Sequence, residues 1–315
     1  LKDLAPVNDR LDIVSYFVEN QSKSDEAGEL IRQIGDLERI ISKVAVARIN
    51  PRELIQLKRA LRAIEPLQKL CFDSGCAPLA KTGEQMNPCR TIASRIEKEL
   101  NNDAPFQLNR GNVIASGVSE ELDELRKLLY NSREYLEDLQ TRESRRTGIS
   151  SLKVSFNNVF GYYIEVRNTH RDKVPPEWIR KQTLVNAERY ITEELKDYER
   201  RILGAEEKIL DLEARLFNDL VLAVSEFITP VQLNSSLVAR IDCLRSFAVI
   251  SAENSYVRPL LDETRSLEIT EGRHPVIEKQ LPPGESYVPN DLVLDDDDQQ
   301  IIILTGPNMS GKSAL

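Results

Sequence analysis

Gly306-Pro307-Asn308-Met309-Ser310-Gly311-Lys312-Ser313 fits the pattern G-x-x-x-x-G-K-[ST] of a phosphate-binding loop. Each fixed position in that pattern has a physical task. Glycines let the backbone turn tightly and aim its N–H groups at a phosphate, Lys312 neutralises the β- and γ-phosphates, and the Ser313 hydroxyl ligates Mg²⁺. The run Gln299-Gln300-Ile301-Ile302-Ile303-Leu304-Thr305 ahead of it predicts a buried strand, and a helix is expected to open at Gly311. Together these features predict a nucleotide site. Hydrolysis requires two further parts, an acidic strand end that holds Mg²⁺ and a residue that orients the attacking water, both from later strands of the same sheet. Because the sequence stops at Leu315, it reads as a fragment whose boundary falls inside an ATPase domain, with no catalytic residue of its own and no expected activity alone.

The elements that must position this loop fill the other 300 or so residues. At 315 residues, 41% apolar and 30% charged, the chain is long enough for two or three domains, each with its own core. No apolar run approaches the roughly 20 residues that span a bilayer, and no basic-then-apolar signal opens the chain, so a cytoplasmic location is expected. Cys71, Cys76, Cys89 and Cys243 form no C-x-x-C pair, and the two histidines, His170 and His274, lie far from them in sequence. Free or buried thiols are expected rather than a metal site, which needs tighter spacing and four ligands.

The formal net charge is −9, which taken alone opposes nucleic-acid binding. Its distribution is uneven. Residues 150–190 carry Lys153, Arg167, Arg171, Lys173, Arg180, Lys181 and Arg189 against Glu165, Asp172, Glu177 and Glu188, a local net of +3 that leaves −12 for the remainder. A basic island on an acidic protein suits a confined polyanion contact, since only contacting charges release counterions. An ordinary solvated surface is the competing reading.

Along the chain, the first 100 residues or so read as a helical array. Leu30, Ile34, Leu37, Ile41 and Val44 fall at 3–4 spacing in one helix, and Leu54, Leu57, Leu61 and Ile64 in the next, which Pro51 opens. From Val118 to about Arg146 a helix of roughly 43 Å is expected, and from Glu188 to Phe227 a second of about 60 Å, both from 1.5 Å per residue. Such apolar seams want a partner, and antiparallel pairing with each other is the simplest arrangement. Between them the period changes: residues 151–157 alternate, Asn157-Asn158 marks a turn, residues 161–167 are β-branched and aromatic, and Trp178 to Asn186 supplies a further strand. A small antiparallel sheet at the tip of two long helices follows. After it come a helix over about 236–256, strand-like pieces at 266–270 and 275–277, and Asp295 to Asp298, read as a solvated turn.

This order of parts resembles the MutS family of DNA mismatch-repair ATPases. The resemblance is carried by Gly35-Asp36-Leu37-Glu38-Arg39, Asn50-Pro51-Arg52-Glu53-Leu54, residues 181–190, Glu271-Gly272-Arg273-His274-Pro275-Val276, and the Gly-Pro-Asn-Met form of the loop at 306–309. It spans nearly the whole chain. It implies a mainly α fold with a small antiparallel β insertion, long antiparallel lever helices, and the truncated start of an α/β P-loop ATPase domain. The implied divisions are 1–147 for the core and first lever helix, 148–187 for the clamp, 188–258 for the returning lever and core, and 259–315 for the ATPase part. The family's mismatch reader, a Phe-x-Glu wedge, and its connector are not in this sequence, so contact with DNA without recognition of a mispair is expected.

The resemblance also implies roles for particular residues. The clamp would grip duplex DNA through phosphates, with Asn157, Asn158, Lys181, Thr183, Asn186 and Arg189 in reach of the backbone. Asn186 and Arg189 equally suit bracing the start of the long helix. ATP with Mg²⁺ would occupy the loop at 306–313, with Tyr287 stacked on the base and Val288 and Asn290 at its edge. Tyr287 also reads as a packed surface aromatic. His274 beside Pro275 reads as structural, since nothing in the sequence orients it as a base. The complete family member is expected to be a nucleoid-associated homodimer that works with a MutL-type repair partner. Two other classes stay open, a coiled-coil chromosome-type ATPase, in which the P-loop precedes the coil, and a helical scaffold with an incidental loop match.

Overall fold

The structure, a computed structural model, describes residues 3–157 and 161–306. Two compact units divide the chain, Asp12–Tyr256 and Leu1–Leu11 with Val257–Leu315.

The larger unit begins as the helical array its 3–4 spacing predicts. It comprises the part of α1 (Leu4–Glu19) from Asp12 on, whose Ile13 and Phe17 are buried, α2 (Gln21–Ile34), α3 (Leu37–Ala45), α4 (Pro51–Phe72), α5 (Ala77–Gln85) and α6 (Arg90–Glu99). Leu30 and Val44 do not share one helix. Gly35 takes φ 61°, a left-handed value glycine tolerates, and the Asp36 side chain accepts from Arg39 N at 2.9 Å, so a new helix starts there. The start of α4 is fixed by a reciprocal cap. Glu53 N donates to Asn50 Oδ1 at 3.0 Å, Asn50 N donates to Glu53 Oε2 at 3.2 Å, and Pro51 occupies the first turn, where a missing N–H is harmless. Asn50→Ala is expected to cost about 1 kcal/mol of unfolding free energy. A shift in the urea midpoint at unchanged m-value checks it.

α7 (Glu120–Thr147) follows, opened by Ser119, which accepts from Leu122 N, and ended by Gly148 at φ 65°. The sheet is built from β1 (Lys153–Asn157), β2 (Gly161–Arg167), β3 (Ile179–Thr183) and β4 (Ala187–Ile191), all antiparallel in the order β1-β2-β4-β3. α8 (Glu193–Ser225) returns from it. The returning helix therefore starts at Glu193, not Glu188: residues 187–191 pair as an interior strand between β2 and β3, and Thr192 caps the helix by accepting from Leu195 N. The 3–4 spacing that carries the seam through Ile191 is overridden by tertiary pairing. α9 (Ile228–Asn254) follows at 62° to α8. Among the described residues no single helix is long and apolar enough to cross a membrane.

Two separate apolar cores hold this unit. One lies among α1 to α6, α9 and the near parts of the long helices, with Leu122 on α7 and Ile209, Leu212, Phe217 and Leu220 on α8. The other joins the sheet to the far parts of the same helices through Leu139, Ile164, Val166, Trp178, Tyr190, Leu195 and Tyr198. Leu122 and Leu139 are 17 positions apart, about 25 Å along the helix. α7 and α8 run antiparallel between the cores: Arg126 meets Glu213, Tyr135 stacks on Tyr198 at 4.7 Å, and Arg142 pairs with Glu194 at 2.6 Å. Cys71 and Cys89 are buried, and burial pushes their thiols up to about 12 and about 11, so they are inert packing groups.

In the smaller unit β5 (Leu267–Gly272) pairs antiparallel with β6 (Asn290–Leu294), and α10 (Pro275–Gln280) lies between them in sequence. Residues 275–277 are thus helical rather than strand-like, because Pro275 supplies a first-turn φ and His274 caps the turn. Asp295 Oδ1 accepts from Asp297 N, Asp298 N and Gln299 N, a solvated turn whose backbone donors hold the carboxyl below its usual range. Residues 301–306 form no strand, and Ile301 and Ile303 are 78% and 83% exposed. The buried strand expected there needs hydrogen-bonded neighbours, and none of the described residues pairs with it.

Candidate functional site

The sheet places the seven cations of the basic island unequally. Glu188 is buried on β4, where Tyr190 Oη donates to it and Arg171 and Arg180 approach at 3.5 and 3.3 Å. The Tyr190 hydroxyl, then the two guanidiniums, hold the Glu188 carboxyl below the ordinary glutamate range. Burial first, and the carboxylate second, push Tyr190 up to about 12. Arg189 is 18% exposed; its guanidinium bonds Glu165 at 3.1 Å and Gln182 at 2.9 Å and lies 4.2 Å over the Tyr163 ring. The Arg189 contacts tie β2, β3 and β4 together on the face of the sheet opposite Ile164 and Val166. Lys153, Arg167, Lys173 and Lys181 are exposed, as are the Arg171 and Arg180 side chains that reach Glu188.

The strand order separates residues that lie close in the candidate set. β1 and β3 are opposite edges, three strand spacings or roughly 14 Å apart. Asn157 ends β1 next to Gly161, at the end of the sheet from which β4 continues into α8. Thr183 and Asn186 belong to the β3–β4 hairpin at the other end, beside Arg167, which pairs with Ala187. Lys181 is the residue skipped where the β3–β4 register shifts between Arg180 and Gln182, so its side chain is re-aimed. The hairpin is closed by Leu184 N donating to Ala187 O at 2.8 Å. Asn168 braces it from outside, its Nδ2 donating to Val185 O at 3.0 Å and its N to Asn186 O at 3.2 Å. Neither Asn168 nor Glu188 carries a sequence signal for these roles, since Val185 and Asn186 lie 17 and 18 positions from Asn168 and Arg171 lies 17 from Glu188. Asn158 lies outside the described residues.

The smaller unit contains a pocket of about 260 Å³ lined by Gly272, Arg273, His274, Tyr287 and Asn290. Gly272 pairs with Asn290, and a Cβ there would meet Ile269 Cγ2 at 2.7 Å and Asn290 O at 3.0 Å, so glycine is required for this close approach. Tyr287 is half-buried at the pocket, Asn290 Nδ2 donates to Val288 O at 3.2 Å, and Val288 itself is exposed. His274, read from sequence as structural, caps α10 and also lines this pocket. An aromatic face, an amide and an imidazole around a small cleft suit a flat heteroaromatic ring. Gly306 is described and exposed, whereas Pro307, Asn308, Met309, Ser310, Gly311, Lys312 and Ser313 lie outside the described residues.

Residues 117–208 match the family model described as MutS family domain IV. Over 100% of its length the chain is 61% identical to the DNA mismatch repair protein MutS of Parabacteroides distasonis. It is 60% identical to the protein of that name from Bacteroides thetaiotaomicron and 55% to that from Flavobacterium johnsoniae, again over the whole chain. The chain belongs to the MutS family. It spans 36% of the length of each of these curated relatives. The MutS domain IV match covers α7, the four-stranded sheet and the first part of α8, and so contains all of the second core.

Proposed function

We propose that this chain is the core, lever and clamp portion of a MutS-type DNA mismatch-repair ATPase, with the opening segment of its nucleotide-binding domain. The observation that carries the reading is a four-stranded sheet with its own core on the far ends of two antiparallel helices, its β3–β4 hairpin edge rich in exposed polar and cationic groups. Residues 1–147 form the core and first lever helix, the clamp begins at 148, the returning lever and core extend to 258, and 259–315 open the ATPase part. The clamp takes in 148–187 and, from the strand pairing, continues to Ile191.

In this proposal duplex DNA is held through its phosphates at the hairpin end of the sheet by Lys181, Thr183 and Asn186, with Arg167 beside them. Arg189 acts indirectly, by fixing β4 against β2 and β3. Asn157 and Asn158 form a second, separate contact at the other end. ATP is held by the loop at 306–313, with Mg²⁺ on Ser313 and the base between Tyr287 and the Val288–Asn290 segment. The complete protein acts as a cytoplasmic, nucleoid-associated homodimer that hydrolyses ATP and engages a MutL-type partner. The stiff α7–α8 pair is the element through which nucleotide state would reach the clamp.

Lys181→Ala in the full-length protein tests the DNA contact. It is expected to weaken binding uniformly across duplex sequences and to reduce the slope of log affinity against log salt by about one unit. An unchanged slope removes Lys181 from the interface, and absence of salt-dependent DNA binding by the parent protein refutes the clamp reading.

A further inference from the structure

We propose that the polar cleft between α2, α4 and the loop at 101–104 is a docking site for an acidic peptide segment of a partner protein, held by Arg52 and Arg59. The cleft has a volume of about 760 Å³, lies wholly within the larger unit, and is lined by Gln33, Arg52, Gln56, Arg59 and Asp103 among others. Arg52 and Arg59 are seven positions apart on α4, two turns to within about 20°, so they stand on one face of the helix roughly 10 Å apart along its axis. Both are exposed, and among the described residues neither pairs with a carboxylate. Nearby cations differ: three positions further on, Arg62 pairs with Glu97 at 2.6 Å, and Arg90 reaches Glu65 of α4 at 2.8 Å. The far wall is fixed. Arg52 Nε donates to Ala104 O at 3.5 Å and the buried Lys58 donates to Asn102 Oδ1 at 2.7 Å, so the loop is pinned to α4 on both sides of Asp103.

The occupant follows from charge and spacing. A guanidinium without a partner offers a planar fork of donors that matches a carboxylate. Two such groups roughly 10 Å apart match carboxylates three residues apart in a polyproline II segment, which rises about 3.1 Å per residue and returns to the same side after about 9 Å. In a β-strand, side chains three apart point to opposite faces and cannot both be met. Gln33 and Gln56 bring amides, which donate and accept as a peptide backbone does. Asp103 decides against nucleic acid. A phosphodiester backbone has no donor to offer that carboxylate and is repelled by it, whereas a peptide N–H can donate to it.

The test is ¹⁹F NMR of a short fluorine-tagged peptide centred on Glu-Pro-Pro-Glu, titrated with the full-length protein. Saturable line broadening is expected, and it should weaken as salt rises. The matching Gln-Pro-Pro-Gln peptide is expected to bind at least about tenfold more weakly. Arg59→Ala is expected to cost about tenfold, and Arg52→Ala combined with Arg59→Ala to abolish binding. Arg59→Lys should restore only part, since an ammonium lacks the planar fork. Both arginines are exposed, so the urea midpoint of each variant is expected to stay at the parental value, which separates lost binding from lost folding. DNA affinity of the double variant is expected to remain within about twofold of the parent. Absence of saturable binding by the Glu-Pro-Pro-Glu peptide, or equal binding by the double variant, overturns the proposal. Loss of DNA affinity in the double variant assigns the cleft to phosphates and overturns it too. So does protection of Arg52 and Arg59 from a dicarbonyl reagent in a peptide-free protein that binds no peptide, which would place a segment of the same protein in the cleft.

Discussion

Glu213→Ala is expected to lower the unfolding free energy of this chain by about 3–5 kcal/mol, the range for removing one partner of a buried ion pair. Glu213 is fully buried on α8, and two groups from distant parts of the sequence converge on it. Arg126 on α7 donates to it, Val113 N donates to its Oε2 at 3.3 Å, and the same Arg126 reaches Ile114 O at 2.8 Å. One carboxylate therefore ties both long helices to the loop that precedes them. Its loss leaves the buried Val113 N–H without an acceptor, takes the main partner from Arg126, and opens a void in a packed region. Arg126 keeps a weaker contact with Asp123 at 3.8 Å, which limits the penalty. Glu213→Gln retains the shape and an acceptor for Val113 N and is expected to cost about 1–2 kcal/mol. Urea unfolding of the two variants distinguishes the cases, and a Glu213→Ala midpoint close to that of the parent would mean the tie contributes little. If the helices transmit motion, this is the point at which their base is held.

Ile164→Ala should be nearly as damaging, about 2–5 kcal/mol for a fully buried isoleucine, but its effect should be local. Ile164 lies on β2, an interior strand flanked by β1 and β4, and faces the second core together with Leu139, Trp178, Leu195 and Tyr198. That core is joined to the main one through α7 and α8. Amide exchange is expected to lose protection across residues 153–191 while α4, buried in the first core, keeps it. Equal loss of protection in α4 would show that the two cores unfold as one cooperative unit. The sheet is then a semi-independent folding element.

Much of this architecture was legible without coordinates because it is written in local chemistry. The seam on α7, the alternation of β1, the β-branched and aromatic run of β2, the Pro51 helix start and the Asp295 turn each depend on residues within a few positions of one another. The family was legible as well, since its motifs are short and contiguous. Where sequence reading failed, a competing local signal was overruled. Ile191 continues an apolar helical seam yet pairs as a strand, because β4 gains two neighbours that no local interaction offers. Residues 299–305 look like a central strand yet stay unpaired among the described residues.

The candidate sites divide along the same line. Sequence by itself determined the fold class, the phosphate-loop pattern and which residue types are present on the sheet and around Tyr287. Only the tertiary structure decided that Arg189 ties three strands together, that Asn157 and Asn186 stand at opposite ends of the sheet, that Glu213 ties the two long helices together, and that His274 is both a helix cap and a pocket wall. The physical reason is range: caps, turns and periodicity act over one to four residues, whereas pairing register, buried charge and pocket walls are settled by segments tens to a hundred residues apart that meet only after folding.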